Sequence, residues 1–345
     1  MIPYLLILFL VIGWVAFIKV FIKRRSIWIP TFMLSLFAGM RSYEVGTDTI
    51  NYTYQYNQSV GFTSYIFDDN VEKGYQIFDA TILSFTHNYF WLLFLSAFFI
   101  VYSYLRLIKT YSIDYLSSVI IFITLGLYTF IFNGLRQAFA MAIMTYSIKY
   151  LLEKRLLPYL IICLLASTFH ISALIMIPFY FLINLKLKTI YKVLSIFIGS
   201  LILSSQAISY MAQNNERYES YTEGGKFGGL YTLGFYFILA LFIFFTNRTS
   251  KIDNETFQKL SELYYMGVAL LIPVALLGTN PSGPQRIISY FSWSLIIILP
   301  FVIKKFHTMF ISFLFILLCM IYYYLTVSAF GDLIPYKFNP NLRLI

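Results

Sequence analysis

The chain has 345 residues, of which 59% are hydrophobic and only 12% charged, with a mean hydropathy of +0.75. A soluble domain is about half apolar and about a quarter charged, so this composition excludes a soluble globular protein. The net charge of +10 does not indicate nucleic-acid binding, because the basic residues lie at the ends of apolar runs rather than in one patch.

Apolar runs that are long enough to cross a bilayer occur along the whole chain. The first 22 residues have neither a preceding basic stretch nor a small-residue cleavage site, which predicts a membrane helix rather than a removed signal. The full-length runs are near 2–22, 88–108, 115–133, 134–152, 190–207, 230–246, 260–278, 287–303 and 308–329, and shorter ones are at 27–40, 157–169 and 171–185. The sequence therefore predicts an all-α integral membrane protein, a bundle of about twelve transmembrane helices forming one domain over 1–345.

Two polar stretches, at 42–74 and 208–229, separate the apolar runs, and the basic residues indicate their side of the membrane. Lys and Arg concentrate in the cytoplasmic segments of membrane proteins. With Met1 outside and alternating spans, 17 of the 25 basic residues are cytoplasmic and 8 are outside. Both termini and both polar stretches are therefore predicted to lie on the outer side.

The stretch between Arg155 and Lys186 is unusually short for two crossings. Both residues are predicted inside, and only 30 residues separate them. Two helices of about 14 residues rise about 21 Å each, less than the roughly 30 Å of a hydrocarbon core. His170, at the turn, is expected at the floor of a pocket open to the outside, and Arg41, after the short run 27–40, is expected to be sunk similarly.

Three arginines on the outer side, Arg41, Arg136 and Arg286, lie at or just inside the ends of apolar helices. A cation there is costly unless it snorkels, pairs or faces a water-filled cavity. Snorkelling explains any one of them, but three on the side where basic residues are scarce favour a common ligand. Because a guanidinium binds phosphate through two parallel hydrogen bonds, the specific interpretation is a pyrophosphate site.

Acidic and imidazole side chains supply candidates for proton transfer. Asp48 has the short polar neighbours of a tight turn, and it either caps the next helix or serves as a carboxylate that orients or deprotonates a sugar hydroxyl or holds Arg41 in place. Glu44 is a weaker candidate for the same work. His170 is a candidate general base or a hydrogen-bond donor to phosphate, although a lone histidine among apolar residues is usually structural.

Other features of the chain leave alternatives open or exclude chemistry. The aromatic side chains of the stretch 42–74 either form an interfacial belt, which is the better default, or stack on sugar rings. The stretch 208–229 either caps a cavity or is a solvated linker. A Gly-rich phosphate-binding loop with Lys, an HExxH motif and a cysteine cluster are all absent from the sequence, so neither ATP nor a metal is expected.

Four short segments occur in order over nearly the whole chain. They are Val45-Gly46-Thr47-Asp48-Thr49 with Asn51-Tyr52; Gly134-Leu135-Arg136-Gln137 with Ala138 and Ala140; Phe169-His170 with Ser172-Ala173-Leu174-Ile175 and Pro178; and Leu333-Ile334-Pro335-Tyr336-Lys337-Phe338. Each alone is short enough to occur by chance, but the set, in this order and on this topology, is fairly specific. It resembles the signature of the EpsG family of bacterial polysaccharide polymerases.

The resemblance implies a metal-independent membrane glycosyltransferase of the GT-C kind, similar in role to the Wzy O-antigen polymerases. Its donor would be an oligosaccharide on undecaprenyl pyrophosphate, in the bacterial cytoplasmic (inner) membrane. The glycan would pass, on the outer face, to the terminal sugar of another lipid-linked repeat unit, for O-antigen, capsule or exopolysaccharide. The partners are thus this donor, this acceptor and the bilayer, with a chain-length regulator as a further candidate, and no cofactor is implied.

In this chemistry negative charge develops on the pyrophosphate as the anomeric bond breaks, and preorganised cations stabilise it. The expected pyrophosphate ligands are Arg41, Arg136, Arg286 and Gln137. We favour Asp48 as the base that activates the acceptor hydroxyl and His170 as a phosphate or acceptor ligand, and the two roles remain open.

Three other functions compete with polymerisation. A flippase for lipid-linked oligosaccharide would need basic residues on both sides or along a groove, whereas the unusual arginines fall on one side; inverted repeats, common in transporters, are not detectable. A ligase that moves the finished glycan to another acceptor would use the same donor and the same arginines, so only the resemblance disfavours it. A membrane acyltransferase rests mainly on a histidine.

Overall fold

In the computed structural model the described residues are 1–58, 65–214, 228–278, 283–306 and 308–342. The chain is 77% helical, and these ranges contain no strand. The α-helices are α1 (Ile2–Phe17), α2 (Trp28–Gly39), α3 (Thr49–Asn57), α4 (Lys73–Leu83), α5 (Phe90–Tyr111), α6 (Tyr115–Thr124), α7 (Leu135–Met144), α8 (Ile148–Leu152), α9 (Leu156–Ser167), α10 (Met176–Asn184), α11 (Thr189–Asn214), α12 (Gly228–Ser250), α13 (Glu255–Leu276), α14 (Ser289–Ser292), α15 (Leu295–Lys305) and α16 (Met309–Ala329).

Within the described ranges, seven helical segments are long and apolar enough to cross a bilayer. An eighth span results if Pro284–Ser292 and Leu295–Lys305, which differ in direction by 54°, are one bent helix. Three apolar segments are shorter, as the sequence predicted: Trp28–Gly39, Leu156–Ser167 and Ile171–Asn184. The all-α class is confirmed, and the spans are those of a polytopic membrane protein. A helix suits a lipid environment because it satisfies its own backbone hydrogen-bonding groups. The predicted number of about twelve spans is not confirmed.

Three stretches differ in detail from the sequence prediction. The run 134–152 is divided into α7, a 3₁₀ turn at Thr145–Ser147 and α8. The polar stretch 42–74 is not an irregular loop, since α3 lies within it. The stretch 208–229 is shorter than predicted, because α11 continues to Asn214 and α12 begins at Gly228; residues 215–227 lie outside the described residues.

The chain divides into two compact units, a division that hydropathy alone does not indicate. Unit 1 consists of Met1–Lys149, Leu157–Leu174 and Thr308–Ile345, and unit 2 consists of Tyr150–Leu156 and Ile175–His307.

In unit 1 the helices α2, α5 and α7 pack side by side, and α1, α6 and α16 complete the bundle. The close approach of α2 to α5 requires Gly39, because a Cβ there would lie 2.8 Å from Cβ of Phe94. At one end of this bundle, the Lys19 ammonium pairs with Asp114 at 2.9 Å and Arg25 donates to the Lys109 carbonyl oxygen at 2.6 Å. The α1–α2 and α5–α6 connections therefore share one end, as the predicted alternation requires.

In unit 2 the long helix α13 is central and packs against α10, α11, α12 and α15. Asn254 caps α13 by accepting a hydrogen bond from the Phe257 amide at 2.9 Å. A buried ion pair links α11 to α13, with the Lys192 ammonium 2.7 Å from the Glu262 carboxylate.

Candidate active site

The segment that follows α2 and the turn that precedes α7 meet at the end of unit 1 opposite the Lys19–Asp114 pair. The Thr47 amide donates to Oδ1 of Asn133 at 2.9 Å, and the Thr49 hydroxyl donates to the Phe132 carbonyl oxygen at 3.1 Å. Gly46 permits this approach, because its φ is +96° and a Cβ there would lie 2.5 Å from the Phe132 oxygen. The first two family-like segments are therefore neighbours in the fold.

The C-terminal segment joins the same end of unit 1 through its backbone. The Ser42 amide donates to the Lys337 carbonyl oxygen, and the Asn339 amide donates to the Met40 oxygen, both at 2.8 Å. An isolated antiparallel bridge pairs Arg41 with Phe338. The last family-like segment is thus attached to the residues just before the first one, although almost the whole chain separates them in sequence.

Arg41 is fully buried, with no exposed surface. Its guanidinium donates to the Ala38 carbonyl oxygen at 2.5 Å and lies 4.2 Å from the centre of the Phe132 ring. Nε and Nη2 have no hydrogen-bond partner among the described residues. Burial lowers the pKa of Arg41 to about 10, so it remains charged at neutral pH. The described chain places no carboxylate within ion-pair distance of the guanidinium, so Asp48 does not hold Arg41 in place.

Asp48 occupies the N-cap position of α3, but its side chain makes no capping hydrogen bond. Its main-chain oxygen accepts from the amides of Asn51 at 3.1 Å and Tyr52 at 3.3 Å. The side chain is partly exposed. The carboxylate is therefore not committed to the role that its position in the sequence first suggests.

Arg136, at the start of α7, forms a buried ion pair with Glu72, which immediately precedes α4. The exposed fractions of the two side chains are 7% and 13%. The second carboxylate oxygen of Glu72 accepts a hydrogen bond from the Ile171 amide at 3.0 Å. Sequence reasoning missed Glu72, because a glutamate in a polar outer stretch looks like a solvated residue.

His170 lies in the turn that Glu72 binds, with its ring half buried. Nδ1 is 2.6 Å from the Ser172 hydroxyl and 3.3 Å from the Ser172 amide nitrogen. A backbone N–H can only donate, so Nδ1 is the acceptor and a neutral ring carries its proton on Nε2. Parallel stacking of Phe169 on Phe139, with centroids 4.4 Å apart, fixes this turn against α7.

The remaining predicted residues divide between the two units. Gln137 is buried in α7 directly after Arg136. Arg286 belongs to unit 2, where it lies half buried in the 3₁₀ turn Pro284–Ile288. Unit 1 thus brings Arg136, Glu72 and the His170 turn together. Within the described ranges, no three His, Cys, Asp or Glu side chains are close enough to hold a metal ion.

These features define a multi-pass helical membrane protein with a buried arginine–glutamate pair and a histidine turn at one end of its first unit. The chain belongs to the EpsG family, whose model matches residues 24–338. This is a family of Wzy-like polymerase type, and membership suggests a polymerase-like role in polysaccharide biosynthesis. No curated protein and no solved structure matches the chain significantly.

Proposed function

We propose that this protein polymerises polysaccharide repeat units on the outer face of the bacterial cytoplasmic membrane, as a GT-C-like glycosyltransferase. It transfers a glycan chain from undecaprenyl pyrophosphate to the terminal sugar of a second lipid-linked repeat unit. The energy of the reaction is already in the pyrophosphate donor, so no nucleotide is required. Family membership supports the reaction class, and the arginine chemistry supports the kind of donor.

The observation that carries the proposal is the fixed direction of Arg136. One of its Nη atoms donates to Glu72, and Glu72 is itself held by the Ile171 amide. A guanidinium is a rigid planar fork with five N–H donors, so fixing one donor fixes the direction of the others. Preorganised donors of this kind stabilise charge that develops on a departing pyrophosphate.

The other residues have roles that follow from their positions. Gln137 and Arg286 are proposed as further pyrophosphate ligands, whereas Arg41 acts through its charge alone because its guanidinium has no exposed surface. Asp48 is the proposed base for the acceptor hydroxyl, since its carboxylate is partly exposed at the start of α3. The Nε2–H of His170 is the proposed donor to phosphate or acceptor.

The experiment replaces both members of the buried pair, Arg136→Gln with Glu72→Gln, in the native host. Removing both charges avoids an uncompensated buried ion, which would destabilise the fold by itself. The matched control is Asp69→Asn with Lys73→Gln, an ion pair at 2.9 Å in the same stretch whose side chains are 99% and 60% exposed. Membrane abundance is measured by immunoblot, and the surface polysaccharide is resolved on a gel.

We expect the buried double variant to have normal abundance and a ladder collapsed to single repeat units. The control should keep an intact ladder. A full-length ladder in the buried double variant refutes the role of Arg136. Polymer that accumulates on the lipid carrier indicates a ligase instead. Repeat units that accumulate on the inner face indicate a flippase.

A further inference from the structure

The polar stretch between α2 and α4 encloses a buried carboxylate that the proposed chemistry does not use. Asp79, on α4, is only 4% exposed. The Tyr65 hydroxyl donates to its Oδ2 at 2.9 Å, and the Tyr56 hydroxyl, from α3, donates to its main-chain oxygen at 3.2 Å. The ring of Tyr52 packs edge-on against Tyr75, with centroids 5.9 Å apart. Tyr56 of α3 and Tyr65 thus enclose the acid.

Two polar atoms of this cluster lack hydrogen-bond partners among the described residues. They are Oδ1 of Asp79 and the hydroxyl oxygen of Tyr75, whose side chain is also only 4% exposed. A buried polar atom without a partner is destabilising, and a carboxylate more so than a hydroxyl. Native structures satisfy most such groups, so each exception requires an explanation.

Asp79 is an unfavourable residue for stability alone. Burial raises the pKa of its carboxyl to about 6, so folding opposes its ionisation at neutral pH. An asparagine of the same shape would carry no charge into this environment. Residues that lower stability yet occupy a well-packed position are characteristic of sites kept for function.

The geometry assigns Asp79 and Tyr75 to a saccharide-binding subsite that holds a sugar ring of the lipid-linked glycan; this assignment rests on the proposed function. A carboxylate oxygen accepts from sugar hydroxyls, and a phenolic hydroxyl both donates and accepts. Hydrogen bonds to a charged carboxylate are stronger than those between neutral groups. The two unpartnered atoms supply two contacts for sugar hydroxyls.

The position of the subsite agrees with a pyrophosphate bound at Arg136. Tyr75 and Asp79 are four residues apart on one face of α4, and Glu72 is the N-cap residue of the same helix. Seven residues of helix span about 10 Å, so the subsite lies beside Arg136, where the first sugars of the donor or acceptor would be. The partly exposed ring of Tyr65 covers Asp79, and Phe67, which packs on Tyr65, is exposed; a sugar enters when Tyr65 turns aside.

The test uses Asp79→Asn and Tyr75→Phe in the purified full-length protein, with Asp69→Asn as the exposed carboxylate control. The probe is the repeat-unit oligosaccharide that mild acid releases from the host's lipid-linked precursor. Binding is followed by saturation-transfer NMR, and thermal unfolding in the same detergent shows whether each variant is folded.

We expect the wild type, the control and the Arg136→Gln/Glu72→Gln variant to bind the oligosaccharide. Asp79→Asn should bind roughly tenfold or more weakly, as expected for one lost hydrogen bond to a charged group, without loss of thermal stability. The subsite is overturned if Asp79→Asn and wild type bind equally, or if wild type does not bind. Equal binding would leave a trapped water as the partner of Oδ1. Neither result bears on the polymer ladder, whose persistence without Arg136 would separately refute the proposed role of Arg136 in binding the donor.

Discussion

The burial of Asp79 predicts that an isosteric neutral side chain stabilises this protein, and does so only above a defined pH. The pKa of the carboxyl rises from 3.8 to about 6 on folding. At 1.36 kcal/mol per pKa unit, that difference corresponds to about 3 kcal/mol. Only 4% of the side chain is exposed, so solvent screening does not reduce this figure much.

The sign follows from proton binding. Below pH 3.8 the carboxyl is protonated in both states, and Asp79 carries no penalty. Between pH 3.8 and about 6 the unfolded chain ionises first, so the folded state loses stability as the pH rises. Above about pH 6 both states are ionised and the penalty is complete. Asp79→Asn removes it, so the variant should be about 3 kcal/mol more stable than wild type at pH 7.5 and nearly equal to it at pH 4.

The assay is thermal unfolding of both proteins in the same mild detergent at pH 4.0, 5.0, 6.0 and 7.5. Only the difference between the two proteins matters, because all other titrating groups are common to both. At pH 7.5 we expect a midpoint difference on the order of 5 °C, shrinking toward zero at pH 4.0. A difference that is independent of pH, or a variant less stable than wild type at pH 7.5, would refute the reasoning that burial dominates at this site.

Three further predictions concern the family-like segments. Arg136→Gln alone should lower the free energy of unfolding by about 3–5 kcal/mol more than the double variant with Glu72→Gln, because it leaves a buried carboxylate unpaired. Abundance should fall with it, and equal losses in the two variants would contradict this. Gly46→Ala should lower the free energy of unfolding by about 2 kcal/mol or more, because φ is +96° and the new Cβ would lie 2.5 Å from a main-chain oxygen. Less folded protein should therefore accumulate, which immunoblots at two growth temperatures test. His170→Asn keeps an acceptor for the following turn but removes the Nε2 proton, so polymer synthesis in membranes should fall by about two orders of magnitude at normal abundance, and unchanged synthesis would make His170 structural.

The sequence predicted the helices of the bundle and the short helices around His170 because these depend on local hydropathy. About 20 apolar residues are needed for a span, and the shortness of Leu156–Ser167 and Ile171–Asn184 is visible in any hydropathy scan. The spacing of the first and second family-like segments, by contrast, gave no sign that Gly46 and Phe132 touch. That contact depends on tertiary packing between α2, α5 and α7.

Glu72 and Asp79 could not be recognised from the sequence because both lie in or next to a stretch whose polar composition resembles a solvated loop. One signal was present: Tyr52 and Tyr56, and likewise Tyr75 and Asp79, are four residues apart, as on one face of a helix. Two amphipathic helices that face each other would bury these side chains together. Hydropathy averaged over a full span conceals that periodicity, since α3 and α4 are each too short to register as spans.

The buried pair of Arg136 and Glu72 has a consequence for how the proposed site distinguishes its donor. The ion pair carries no net charge, so it attracts anions less strongly than an isolated buried arginine would. A ligand must instead approach along the direction in which Glu72 holds the guanidinium, and must tolerate the nearby carboxylate. A diphosphate presents several oxygens in different directions and meets both conditions, whereas a single lipid phosphate gains less from one edge of the fork. The same carboxylate, held by the Ile171 amide, keeps the fork aimed before the donor arrives, which is what stabilising a transition state rather than a bound substrate requires.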